Sequence, residues 1–442
     1  MPWLHAIFPH LSRAAAAVYY RVTYAGEAIP PTGPVLLVAN HPNSLLDPVL
    51  VAAVARRPVR FLAKAPLFDD PKIAFLVKAS GAIPVYRRVD GPSQVEKNFD
   101  AFRAVHSALA LNAAVGIFPE GLSHSEPALA PLKTGAARIG LGAFTYVGEA
   151  FPIVPVGLMF RHKDVFRTEA LVLVGRAIPW DDLAPRGMDD PEAVRLLTER
   201  IERGLRHVTV NLERWQDRPL VECAVRVWEA ERQAPVVPDD RVARLKEVTR
   251  ILAEVRRRAD PAAAEVAADL EAHRRRLRRL RLRPADLTAD VGLRRALAWT
   301  GRRAHLLLPL GAVIAAVSAV LFYVPYRGTG ALVNRVTLKV DERSTWKLLV
   351  GLGVYATWVV VVAALAAITW GPRAGLLALV GVPCVGMVGL VLRDRWRGAW
   401  SDARRFFLLR SRRDLVNGLQ AEQRDLAERL QALYEAFPPP AA

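Results

Sequence analysis

Cysteine is nearly absent: Cys223 and Cys384 are the only two in 442 residues, and they lie far apart in the chain. Two isolated thiols make neither a disulfide framework nor a cysteine metal site, so both read as packing residues. Acidic residues are also scarce, 43 against 61 Lys and Arg, which leaves a net charge of +18 and a pI near 10.5. That excess points to an anionic partner, and charge alone does not choose among nucleic acid, a phospholipid surface and a phosphorylated substrate. The amino terminus lacks the basic start of a signal peptide, and His5, Pro9, His10 and Arg13 interrupt its apolar stretch. Trp3, Leu4, Ile7, Phe8, Leu11, Ala15 and Val18 recur at helical spacing, so residues 1–34 are expected to hold an amphipathic helix and a lead-in. Such a helix either docks on its own domain or lies in a membrane interface.

What is present begins with alternation. From residue 20 to about 220, short apolar runs alternate with longer amphipathic segments, the pattern of an α/β fold with a central β-sheet flanked by helices. Expected strands are Val35–Ala39, Val59–Ala63, Ala82–Tyr86, Val115–Phe118, Ile153–Met159 and Ala170–Val174. Expected helices are Ser44–Val54, Asp70–Ser80, Val95–Leu111, Thr134–Tyr146 and Pro191–Leu212. Pro155, inside its run, implies an edge strand or a bulge. Residues 35–220 therefore form the expected catalytic domain.

The character changes over residues 221–300. Val242, Leu245, Val248, Leu252 and Val255 make an apolar stripe, Asp260-Pro261 breaks it, and a second helix carries seven arginines between Arg274 and Arg283. A basic helical hairpin follows from this, its charge either solvated or held against anionic headgroups. Residues 301–395 then contain three apolar segments, Leu306–Tyr326, Leu348–Trp370 and Leu376–Leu392. The second is long enough to cross a hydrocarbon core of about 30 Å, and the third is joined to it by only five residues. Basic clusters flank the first segment and follow the third. Two crossings, 348–370 and 376–392, keep all of them on one side, so 306–326 is expected to be re-entrant or in-plane. The tail, 396–442, reads as an amphipathic helix packed on the protein.

Four polar clusters follow or end the strand-like runs. The first, Asn40-His41-Pro42-Asn43-Ser44-Leu45-Leu46-Asp47-Pro48, comes directly after Val35–Ala39, at the strand end where α/β sheets place ligands. Imidazole titrates nearest neutrality, and a carboxylate beside it fixes its tautomer and raises its basicity toward a hydroxyl. The second ends in Arg87-Arg88, a planar fork suited to phosphate. The third, Phe118-Pro119-Glu120-Gly121-Leu122-Ser123-His124, leads to Lys133 and Arg138 near a helix start, where the dipole also favours an anion. The fourth is Ile153-Val154-Pro155-Val156-Gly157-Leu158.

In this order and spacing the four blocks resemble the glycerolipid acyltransferase family, enzymes that acylate glycerol phosphate and its lyso derivatives, over residues 35 to about 180. The family's usual first block has four residues between His and Asp, whereas five separate His41 from Asp47; its usual Pro-Glu-Gly-Thr-Arg is here Pro-Glu-Gly-Leu-Ser-His. Both departures are similar to the glycerol-3-phosphate/dihydroxyacetone-phosphate acyltransferase branch known from fungi. The resemblance implies His41 as general base oriented by Asp47, with direct attack of the acceptor on an acyl-CoA or acyl-carrier-protein thioester. It further implies Arg87 at the acceptor phosphate, Glu120, Gly121 and Ser123 shaping the acceptor site, Lys133 adding a second positive charge, and Pro155 helping to form the donor site. No metal or redox cofactor is expected, since the thioester is already activated. The expected acceptor is glycerol-3-phosphate or dihydroxyacetone phosphate, with lysophosphatidate or another lysophospholipid as the alternative. A catalytically silent lipid-binding scaffold is the reading from a different class. Membrane phospholipids are expected partners and nucleic acid is not, for an integral protein on the cytoplasmic face of a bacterial inner membrane.

Overall fold

Among the described residues, seven strands form one mixed sheet in the order β1-β7-β6-β2-β5-β3-β4. The structure is a computed structural model and describes residues 2–71, 73–86, 98–234, 237–289, 309–336 and 340–438. The strands are β1 (Tyr20–Gly26), β2 (Val35–Ala39), β3 (Val59–Lys64), β4 (Ile83–Val85), β5 (Ala114–Ile117), β6 (Ile153–Phe160) and β7 (Thr168–Val174). Every neighbouring pair is parallel except β6 with β7. All five residues of β2 are buried, so both faces of this strand are covered, which is why it reads as an unbroken apolar run rather than an alternation.

The chain divides into two units. Unit 1 comprises Met1–Glu213 with Leu338–Thr345, and unit 2 comprises Arg214–Thr337 with Trp346–Ala442. In unit 1 the sheet is flanked by α1 (Pro2–Tyr19), α2 (Leu46–Ala55), α3 (Ala74–Ala79), α4 (Asn98–Ala110), α5 (Gly135–Val147) and α6 (Pro191–Val208). Helix α6 shows how sequence fixes packing. Asp190 caps it by accepting from the Glu192 and Ala193 N–H groups at 2.9 and 3.1 Å. Ala193, Val194, Leu197, Ile201, Leu205 and Val208 then bury one face, and each large aliphatic side chain among them stabilises the fold by about 1.5–3 kcal/mol. That face lies close to the sheet: a Cβ on Gly157 would meet the Val208 carbonyl oxygen at 2.0 Å.

Three details differ from the sequence reading. The sheet takes in β1, ahead of residue 35 where the domain was expected to start. Helix α1 docks on α2 and β1, but through Ser12, Ala16 and Tyr19; Ile7 and Leu11 of its apolar stripe are exposed. Finally, Pro155 lies on neither an edge nor an isolated end: β6 is an interior strand. The missing N–H is tolerated because the ladder to β7 starts only at Val156↔Val174, and beyond it β6 only accepts: the Gly175 N–H donates to the Pro155 carbonyl and the Ile178 N–H to the Ile153 carbonyl, both at 2.8 Å.

Unit 2 is helical: α7 (Arg218–Glu231), α8 (Pro238–Arg258), α9 (Pro261–Leu280), α10 (Pro284–Leu287), α11 (Pro309–Leu321), α12 (Tyr323–Asn334), α13 (Val340–Trp370), α14 (Pro372–Ser411) and α15 (Arg413–Ala436). The opening turn of α13 belongs to unit 1. The hairpin of α8 and α9 is present, with Asp260 capping α9. Cys223 and Val227 of α7, Leu270 of α9 and Leu426 of α15 share one core, so the tail helix packs on the protein. Cys384, expected to be a packing residue, is exposed on α14, whose apolar surface faces outward.

Among the described residues, two helices are long and apolar enough to cross a membrane, Glu342–Trp370 with 29 residues and Pro372–Ser411 with 40. The second runs on past Leu392, so the boundary drawn at 395/396 falls inside a helix. Helices α11 and α12 bend by 41° between Leu321 and Tyr323 and extend to Asn334, eight residues beyond the expected segment; together they make a broken span or a re-entrant loop. Leu306–Leu308 lie outside the described residues. Helix α11 meets α14 where glycine permits: a Cβ at Gly389 would fall 2.1 Å from Ser318, and one at Gly386 2.8 Å from the Phe322 ring.

Candidate functional site

The backbone of β2 ends at Ala39, yet its ladder continues by one side chain. Asn40 Oδ1 accepts from the Leu158 N–H at 2.7 Å, and its Nδ2 donates to the Leu158 carbonyl at 3.1 Å. The chain is then free to turn. Ser44 takes a left-handed φ of 48°, the Leu46 and Asp47 N–H groups donate to the Asn43 and Ser44 carbonyls at 3.1 and 3.2 Å, and α2 begins. Asp47 thus lies in the first turn of α2, where a negative charge is favoured, and faces back toward His41.

His41 Nδ1 is 2.9 Å from Asp47 Oδ2, and the same oxygen accepts the Asn43 N–H at 2.6 Å. Since an ionised carboxylate only accepts, the contact assigns a proton to Nδ1 and leaves the lone pair on Nε2. Asp47 is fully buried while the His41 side chain keeps 19% exposure, so the pair has one sealed end and one open end. Burial pushes the Asp47 carboxyl up from its ordinary range; the hydrogen bond and charge of His41, the Asn43 N–H and Lys163 pull it back. The imidazole stacks on Phe118, with ring centroids 4.1 Å apart and planes at 13°.

Asn43 continues the network inward. Its Nδ2 donates to the Tyr20 hydroxyl at 2.7 Å, Tyr20 donates to the Lys163 carbonyl, and Ser344 Oγ donates to the same carbonyl at 2.7 Å. Burial raises the Tyr20 hydroxyl well above its usual range, which keeps it a neutral donor. The first turn of α13 is therefore hydrogen-bonded into the wall behind the histidine.

The cluster Phe118–His124 follows β5, and because β5 lies beside β2 in the sheet, the two polar clusters meet. Glu120 is buried and braces the junction. Its Oε1 accepts the His41 backbone N–H at 2.7 Å, and its Oε2 accepts the Ala130 N–H at 2.8 Å and pairs with His124 Nε2. The His124 N–H returns to the His41 carbonyl at 3.2 Å, and Ser123 Oγ accepts from the Ser44 N–H at 3.1 Å. Gly121 has a φ of 72°, and a Cβ there would fall 2.9 Å from Lys133 Nζ, so the lysine side chain lies against the turn. Lys133 is exposed and its N–H donates to the Pro119 carbonyl at 2.8 Å.

The structure thus brings His41, Asp47, Glu120, Gly121, Ser123 and Lys133 together. Arg87 lies outside the described residues. Pro155 stands apart: its ring is buried, 2.9 Å from where a Cβ of Gly175 would lie and 3.4 Å from one on Gly204 of α6, so it packs sheet against helix. Sequence reasoning missed Tyr20, Asn40, Asn43, Lys163 and Ser344, and gave His124 no role. Asn40, Asn43 and His124 stand inside the polar clusters already singled out, which was a usable signal. Tyr20, Lys163 and Ser344 carried none, since only tertiary folding joins them.

Residues 21–159 match the family model described as Acyltransferase. The chain is 33% identical over 135 residues to glycerol-3-phosphate O-acyltransferase 2 of Saccharomyces cerevisiae, covering 30% of this chain and 18% of that one. It is 27% identical over 284 residues to glycerol-3-phosphate O-acyltransferase 1 of the same yeast, covering 59% and 37%. It therefore spans less than half the length of either yeast relative. The 1-acyl-sn-glycerol-3-phosphate acyltransferase of Bacillus subtilis is 24% identical over 193 residues, covering 43% of this chain and 88% of that one. Among solved structures, the 1-acyl-sn-glycerophosphate acyltransferase of Thermotoga maritima aligns with a TM-score of 0.34 and 20% identity, covering 46% and 78%.

Proposed function

We propose, from the match of residues 21–159 to the acyltransferase family model, that the protein is a membrane-bound O-acyltransferase that moves a fatty acyl group from a thioester to a hydroxyl of glycerol-3-phosphate or dihydroxyacetone phosphate. The observation that carries this reading is the histidine itself: Nδ1 held by buried Asp47, Nε2 left at the open end. Nε2 takes the proton from the acceptor hydroxyl as its oxygen attacks the thioester carbonyl. The C–O bond forms, the C–S bond breaks, and the imidazolium returns its proton to the departing thiolate. Asp47 stabilises that imidazolium and, with Asn43, holds the ring. Glu120 acts on the site through the His41 backbone rather than by touching the acceptor. Arg87 and Lys133 would supply positive charge for the acceptor phosphate, and the donor is acyl-CoA or acyl-carrier protein.

The two yeast relatives favour glycerol-3-phosphate as acceptor, and the Bacillus relative favours lysophosphatidate. Full-length protein and its His41→Ala variant, assayed in detergent with one acyl-CoA against glycerol-3-phosphate, dihydroxyacetone phosphate and lysophosphatidate, separate these readings. Acylation of glycerol-3-phosphate that vanishes in the variant supports the proposal. Acylation of lysophosphatidate alone moves the chain to the second reading, and folded wild type that acylates none removes both. We place α13 and α14 across the membrane with the catalytic unit on the cytoplasmic side. Protease sites inserted at residues 327–336 and 371–375 should then be cut from opposite sides.

A further inference from the structure

Helix α14 changes character at Arg393. Residues 374–392 carry no charge, whereas Arg393, Arg395, Trp396, Arg397 and Trp400 follow within two turns. At this level α14, the end of α9 and α11 enclose a groove of about 640 Å3. Arg281, Arg393, Arg397, Arg404 and Arg405 line it, and among the described residues no acidic side chain does. Arg405 is fixed by Asp286 at 3.3 Å and Asp402 at 3.1 Å. Arg281, Arg397 and Arg404 have no carboxylate partner among the described residues and are exposed. The opposite wall is apolar: Ala312 and Ala316, one turn apart on α11, leave a smooth channel where larger side chains would fill it. Trp396 and Trp400, with ring centroids 6.3 Å apart, also line it.

Uncompensated guanidinium groups beside an apolar channel, at the end of an apolar helix and flanked by indoles, match one ligand chemistry. A phosphate is held in the headgroup layer while its hydrocarbon chain runs into the bilayer. We propose that this groove binds an anionic phospholipid, its phosphate over Arg281, Arg397 and Arg404 and one acyl chain along Ala312 and Ala316. The site lies wholly within unit 2 and does not depend on the acyltransferase reading. It depends on α13 and α14 lying in a bilayer. A free phosphate would use the arginines and leave the alanine wall idle.

The test uses the full chain in phosphatidylcholine nanodiscs containing increasing fractions of brominated phosphatidylglycerol, read by tryptophan quenching, with brominated phosphatidylcholine as reference. Wild type should saturate at low phosphatidylglycerol fractions and show only random-contact quenching by brominated phosphatidylcholine. Replacing Arg281, Arg397 and Arg404 together by Gln should raise the half-saturating fraction roughly tenfold or more without changing the reference curve. Arg397→Gln alone, on an exposed side chain, should shift it in the same direction by roughly fivefold, which keeps the test usable where the triple variant misfolds. Replacing Arg412, Arg413 and Arg424, outside the groove, should leave it in place. No shift in either groove variant overturns the site. An equal shift in the outside variant reduces it to diffuse attraction, and displacement by millimolar inorganic phosphate makes it a free-phosphate site; both overturn the proposal.

Discussion

Around His41, the polar side chains nearest the base are buried, and the bonds that hold them are closed within unit 1: Asp47, Asn43, Tyr20 and Glu120 each meet a partner between 2.6 and 2.9 Å. Unit 2 does the reverse with its two longest helices, which turn apolar side chains outward; Ile368, Trp370 and Leu377 are 81%, 80% and 75% exposed. The difference concerns where each region finds its solvent. Apart from Asn43 Oδ1 and Asp47 Oδ1, which accept no hydrogen bond, the buried groups named here are paired, and since each unpaired group costs about 1–3 kcal/mol their geometry is tightly specified. An outward apolar helix is satisfied by hydrocarbon, so length and composition specify it and individual contacts matter little. Unit 1 should therefore be brittle to small chemical changes and unit 2 tolerant of them, except for charge.

The sharpest test of that contrast is His41→Ala, which should lower acyl transfer by about 10²–10⁴-fold while circular dichroism stays unchanged. Retained activity would mean that the network serves folding alone. Next is Val360→Arg, at a 57% exposed position midway along the apolar part of α13. Placing the charge at the bilayer centre costs about 2.5–3.5 kcal/mol, so recovery in the membrane fraction should fall steeply; normal recovery would show that this helix does not span. A matched glycine pair follows. Gly157→Ala drives a Cβ onto the Val208 carbonyl at 2.0 Å and should destabilise unit 1 by about 1–3 kcal/mol in thermal unfolding. Gly381→Ala on α14 meets nothing within 4 Å and should be neutral or stabilise by about 0.5–1 kcal/mol through helix propensity. Equal losses would break the comparison. The smallest effect concerns Cys223, whose thiol burial pushes up to about 11. Its deprotonated form is therefore rarer in the folded chain at pH 8 than in the unfolded one, so in a Cys384→Ser background alkylation should be slow until denaturant is added. Equal rates in both states would show the α7 core to be open.

Legibility from sequence followed the same division. Strands buried on both faces, such as β2 and β6, announce themselves as continuous apolar runs. β1 did not: Tyr20–Gly26 is an edge strand with Arg21 and Thr23 inside it, and most of its residues touch solvent. Helix α7 escaped for a related reason, its buried Val221, Ala224, Val225 and Val227 being interleaved with Glu222, Arg226 and Trp228. The His41–Asp47 contact could be read because both residues lie in one turn. The Glu120 brace could not, because it joins loops 79 residues apart whose meeting depends on β5 lying beside β2. Local periodicity carries no information on strand order. The length of the apolar segments indicated α13 and α14, but the continuation of α14 to Ser411 did not follow, since helical hydrogen bonding outlasts the apolar composition that reveals it.

Glu120 imposes a rule of inheritance on this chain. Its two oxygens meet three nitrogens, and two of those, the backbone N–H groups of His41 and Ala130, can only donate. Glutamine at this position would offer one oxygen where two are needed and turn its amide N–H2 toward a backbone donor. Aspartate is one carbon too short to span the same points. A lineage carrying this loop can vary the exposed residues beside it, such as Leu122, yet position 120 admits one letter of the alphabet. What constrains it is the count of lone pairs, before any substrate is considered.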